Sequence, residues 1–186
     1  QPSIADASVD VFFENQADVA RAAADLWRAR RWAEAADHLF LALENDWSEE
    51  AQADLYFGLA DSYAHLGRPR QAFWYALAYL ELTSAEKEPP AEWLRSLRGA
   101  AGLIAEQPAN VEPEAAEQAR RWRQAVAAKR WDLGLRALQK LCQVAPWAPE
   151  YQDAAARLYG ELGWKALSES WARRAAFTRR LAADAA

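Results

Sequence analysis

The stretch from Leu59 to Leu82, LADSYAHLGRPRQAFWYALAYLEL, carries the deciding pattern. Leu59, Ala60, Tyr63 and Leu66 recur at helical spacing, so one apolar face runs up to Gly67. Gly67 stops that helix, because a left-handed backbone costs glycine nothing. Pro69 suits the start of a second helix, where its missing N–H is harmless. Ala72, Phe73, Tyr75, Ala76, Tyr79 and Leu80 then continue an apolar face. The pattern predicts two helices and a tight turn within residues 53–86.

Working outward, the same pattern recurs three more times. Upstream, residues 16–49 place Val19, Ala22, Ala23, Leu26 and Trp27 on one helical face. Arg30-Arg31 marks the turn, and Trp32 opens a second helix carrying Ala35, Ala36, Leu39, Ala42 and Leu43. Downstream, residues 115–148 turn at Lys129-Arg130-Trp131, which matches Arg30-Arg31-Trp32, and Gly134 falls where Ala35 did. Trp122 occupies a place where a small residue is expected, which opens the register of that helix to a shift of a residue or so. In residues 149–182, Ala155, Ala156, Tyr159 and Gly163 echo Leu59, Ala60, Tyr63 and Gly67. Between the second and third pairs, residues 87–113 break the period. Pro89-Pro90 can start a helix over 91–106, and Pro108 and Pro113 bracket a loop. This reads as one extra helix, or as half of a decayed repeat. Residues 1–15 form a lead-in and 183–186 a tail.

Ala60, Tyr63, Gly67 and Ala72, with their echoes, resemble the tetratricopeptide repeat (TPR), a helix-turn-helix unit of about 34 residues. The resemblance covers most of the chain. It implies an all-α, right-handed α-solenoid of about four TPR helix pairs, with the extra helix between the second and third. A small residue lets two helices approach, and a large one opposite fills the groove. No such pair buries its apolar face alone, so neighbours stack.

Composition fits that expectation. Hydrophobic residues make up 52% and charged residues 26%, which is the balance of a globular chain. Ten Trp are many for this length, and their first reading is gap-filling between Ala-rich helices. Net charge is −5 but uneven. Residues 1–111 hold 9 Lys+Arg against 18 Asp+Glu, a net of −9; residues 112–186 hold 13 against 9, a net of +4. A pI near 5.2 argues against nucleic acid as a partner. The single cysteine, Cys142, can make no internal disulfide, and no apolar run is long enough to span a membrane. A Gln-Pro start in a chain without Met is compatible with a mature end left by signal-peptide cleavage, hence a periplasmic or exported protein; the alternative is cytoplasmic.

Residues for chemistry are scarce. His38 and His65 lie in different helix pairs without metal-like spacing, and one cysteine adds no ligand cluster. Neither GxGxxG nor a P-loop occurs, and Ser62, Ser96 and Ser168 have no evident His partner. The expectation is a protein that is not an enzyme and has no cofactor.

In TPR proteins the first helix of each pair lines a concave groove that holds a peptide or helix. Carried over by position, the resemblance implies a partner-binding face of Trp27, Arg28, Phe57, Asp61, His65, Arg123, Arg157 and Glu161, with Ala64, Val126 and Asp153 beside them. The family's clamp for acidic tails wants Lys, Asn and Arg there. Asp61 and Asp153 depart from it, so a chaperone-tail adaptor is not implied. The mixed face suits a partner segment with both apolar and charged side chains. The expected function is a protein–protein interaction module or scaffold, of the kind that serves envelope secretion or assembly machines. Two alternatives stand beside it. One is a structural segment of a longer solenoid, or one that joins head to tail through its acidic and basic halves. The other is a carbohydrate-binding solenoid using exposed Trp.

Overall fold

The structure, a computed structural model, describes residues 16–44, 49–83 and 113–184. The expected lead-in over 1–15 and the extra helix within 87–113 lie outside the described residues. Eight α-helices make up the described regular structure, and no strand occurs among these residues. They belong to two compact units. The first contains α1 (Gln16–Arg28), α2 (Trp32–Leu43), α3 (Glu49–His65) and α4 (Pro69–Leu82). The second contains α5 (Pro113–Ala127), α6 (Trp131–Val144), α7 (Pro149–Glu161) and α8 (Lys165–Asp184). Pro113 is the first residue of α5, so that helix begins two residues before Ala115.

One turn is used four times. Arg30, Gly67, Lys129 and Gly163 all have positive φ, at 59°, 67°, 55° and 83°. At each, the next residue donates its N–H to a carbonyl five positions back: Arg31 to Leu26, Arg68 to Tyr63, Arg130 to Ala125 and Trp164 to Tyr159, at 2.8–2.9 Å. The left-handed residue itself donates three positions back, to Trp27, Ala64, Val126 and Gly160. This is the Schellman arrangement, which satisfies carbonyls that a helix end would leave unpaired. The residue after the left-handed one also starts the next helix. Carbonyls of Arg31, Arg68, Arg130 and Trp164 accept from Ala35, Ala72, Gly134 and Ser168. One residue therefore ends one helix and begins another, and of the pairs so joined α3–α4, α5–α6 and α7–α8 pack on each other. At two turns the same residue packs back on the helix it closes: Trp164 lies 5.6 Å from Tyr159, and the Arg68 guanidinium lies 5.8 Å over Tyr63.

These turns settle the register around Trp122. Counting back seven from the left-handed residue gives Ala23, Ala60, Trp122 and Ala156. Counting back four gives Leu26, Tyr63, Ala125 and Tyr159. So Trp122 does stand at the small position, without a shift. The sizes have been exchanged, with the large side chain at 122 and the small one at 125. Gly134 on α6 makes the room: a Cβ there would lie 3.6 Å from Ala125 Cβ and 3.8 Å from Trp122 Cδ1. Exchanges that keep the total volume are the ones packed interfaces tolerate.

In the first unit α3 packs on both α2 and α4. Tyr75 is buried between Tyr63 and Tyr56, with ring centroids 5.6 and 6.2 Å apart. In the second unit α6 packs on α5 and α7, and α7 on α8. Leu135, Leu138, Leu141, Val144, Tyr159 and Trp171 form its buried centre. Each fully buried aliphatic side chain of this kind contributes about 1.5–3 kcal/mol. Gln152 ties three elements together within this core. Its Oε1 accepts from Thr178 Oγ1 on α8 at 2.8 Å, and its Nε2 donates to the Pro146 carbonyl before α7 at 3.2 Å.

Of the eight Trp described, Trp171 is fully buried and the other seven are half-buried. Three of those, Trp32, Trp131 and Trp164, come one or two residues after a left-handed turn position. Their place is the helix junction rather than the deep core. No helix among the described residues is long and apolar enough to cross a membrane.

Candidate functional site

Two surfaces stand out, one in each unit. The first is an aromatic and acidic ledge at the C-terminal ends of α1 and α3. Trp27 on α1 donates its indole N–H to Asp61 Oδ2 on α3 at 2.9 Å. Its ring meets Trp32 edge-on, with centroids 6.4 Å apart. Trp32 in turn stacks on His65, with centroids 4.0 Å apart and planes 13° from parallel. His65 Nδ1 lies 2.9 Å from the Asp61 carbonyl and 3.5 Å from Asp61 Oδ1. A carbonyl oxygen only accepts, so the proton of neutral His65 is on Nδ1 and Nε2 is left as an acceptor. The His65 side chain remains 48% exposed, against 21% for Asp61.

Local sequence explains the arrangement. Asp61 and His65 are four apart on α3, so they share a face one turn apart. The Arg30 turn places Trp27 and Trp32 on either side of one helix junction. Of the expected site residues, Trp27, Asp61 and His65 come together here. Arg28 is exposed on the last turn of α1 and pairs with Asp25 at 2.7 Å. Phe57, one turn before Asp61, is half-buried against Tyr79 with ring centroids 5.5 Å apart. Trp32, absent from the expected binding face, also belongs to the ledge. Its signal was the aromatic residue directly after a turn.

The other expected residues lie in the second unit. Arg123 on α5, and Arg157 and Glu161 on α7, are exposed and make no polar contact among the described residues. Arg123 and Arg157 stand six residues before their left-handed turn positions, as Asp61 does. Asp153 is engaged by Arg179 of α8, whose guanidinium is held protonated more firmly by that hydrogen bond.

The second surface is a cleft on the α5–α6 pair, of about 520 Å³. It is lined by Ala125, Ala128, Leu133 and Ala137 together with Arg121, Arg130 and Arg136. Leu133 is 46% exposed. Arg121 shares Glu117 with Arg120, at 2.8 and 2.7 Å. Hydrogen bonds from Arg120 first, then Arg121, hold the Glu117 carboxyl below the usual carboxylate range. Arg130 lies 3.6 Å from Asp132, whose carboxyl is also lowered, chiefly by the Leu133 N–H at the start of α6. Arg136 makes no ion pair or hydrogen bond among the described residues.

Among the described residues, no three of His, Cys, Asp and Glu gather in a way that could hold a metal ion. Cys142 is buried in α6. Between them the two surfaces carry aromatic faces, a carboxylate, an imidazole and guanidinium groups. No family model, no curated protein and no solved structure matches this chain.

Proposed function

We propose that this chain is a non-enzymatic interaction module of the TPR kind, an α-solenoid that engages a peptide or helix of another protein along its first helices. The Trp27–Asp61 bond carries this reading, because it ties the first helix of one pair directly to the first helix of the next. That leaves His65 half-exposed against the Trp32 ring, with Arg28 exposed on the last turn of α1 and paired with Asp25. Arg and Trp are residues that commonly anchor interfaces. The four Schellman turns and the close approach of Gly134 to Ala125 support the repeat architecture. An envelope secretion or assembly setting, periplasmic or exported, is the proposed context.

The test is capture of a partner by the immobilised chain from envelope and cytosolic fractions, with Arg28→Ala/His65→Ala as the comparison. Both side chains are exposed, so the melting temperature is expected to move little. One protein retained by the parent chain and lost with the variant is the expected result. Equal capture by the two chains would remove the ledge from the binding surface.

A further inference from the structure

The cleft on α5–α6 is lined by apolar side chains and three arginines, of which Arg136 is unpaired among the described residues. From this and the sequence we infer that the cleft is the docking site of residues 1–15 of the same chain. The cleft asks for a segment with one apolar stripe flanked by one acidic stripe. Residues 1–15, QPSIADASVDVFFEN, have that pattern and no Lys or Arg. Asp6, Asp10 and Glu14 recur every four positions, which lines them up on one side of a helix. Ala5, Val9, Phe12 and Phe13 follow the i, i+4, i+7, i+8 spacing of an adjoining apolar side.

Charge singles this segment out. The other long stretch outside the described residues, 84–112, interleaves Lys87, Arg95 and Arg98 with its carboxylates. Only residues 1–15 combine uncompensated negative charge with two Phe. On docking, the Phe and Val side chains cover Ala125, Ala128 and Leu133, and the carboxylates face Arg121, Arg130 and Arg136. Apolar burial supplies the affinity and the charges set the orientation. Exposed charges are screened over about 8 Å at physiological ionic strength, so docking weakens as salt rises.

The test uses the full chain with Gln124→Cys in the cleft lining, labelled with a benzophenone maleimide and photolysed. Cys142 is buried and is not expected to compete for label. Mass spectrometry then maps the adducts. The expected result is a monomeric product cross-linked within residues 1–15, in a yield that falls several-fold at 1 M salt. Arg121→Glu/Arg136→Glu should lower the yield several-fold, and adding Asp6→Lys/Glu14→Lys to that variant should restore it. Adducts mainly outside residues 1–15, or a yield that ignores both charge reversal and salt, would overturn the inference. Cross-linked dimers would overturn the same-chain assignment and make a second copy the occupant.

Discussion

Lys129 and Gly163 do the same job in the same unit, so exchanging their chemistry should move stability in opposite directions. Both hold a left-handed backbone, at φ of 55° and 83°, and both close a Schellman turn. Neither substitution disturbs packing. A Cβ built on Gly163 meets nothing within 4 Å, and the exposed Lys129 side chain makes no polar contact among the described residues. What remains is the backbone. A non-glycine residue held left-handed costs about 1–2 kcal/mol. Glycine returns about 0.5–1 kcal/mol of that through its larger loss of chain entropy on folding. Lys129→Gly should therefore stabilise by about 0.5–1 kcal/mol, and Gly163→Ala should destabilise by about the same. That corresponds to about 4–8 °C per kcal/mol if the second unit melts by itself, and about 2–4 °C if the chain melts as one. Helix loss followed by circular dichroism, with urea titration at 25 °C beside it, reads both variants. Shifts of the same sign would refute the equivalence of the two turns, whatever their size.

The remaining predictions address the core and the charged face. Thr178→Val removes the donor to Gln152 Oε1 and leaves that buried oxygen unpaired, a cost of about 1–3 kcal/mol, whereas Thr178→Ser keeps the bond; the two urea midpoints should separate accordingly. Ser62 is fully buried and its hydroxyl has no hydrogen-bond partner among the described residues, so Ser62→Ala should hold or raise the urea midpoint, by up to about 1 kcal/mol; a clear drop would mean that the hydroxyl is satisfied. Glu117 should titrate below the ordinary range near ~4.3 when followed by carboxyl NMR. Since its folded value is depressed, its contribution is present above the unfolded value and is lost as pH falls through the folded one. Arg120→Ala/Arg121→Ala should bring the titration back toward the ordinary range.

How far the sequence disclosed this molecule differs between its parts for physical reasons. Helix pairs were legible because Gly67-Arg68-Pro69 is local chemistry. A glycine that tolerates positive φ and a proline that starts a helix act within three residues. Arg30 and Lys129 were legible only as echoes, since neither has an intrinsic preference for the left-handed region that both adopt. Trp122 looked like a possible slip in register because a single position was compared with its counterparts. Its compensation is spread over Ala125 on the same helix and Gly134 on the next, and only contact across the pair joins the three.

The ledge was less legible still. Trp27, Asp61 and His65 could be placed on first helices by spacing, but spacing does not say which side chains spend their polar groups on each other. Asp61 is held by Trp27 and His65, so its carboxylate helps to orient an aromatic surface. Trp32 enters through a stacking contact 33 residues along the chain, at His65, which no periodic pattern encodes.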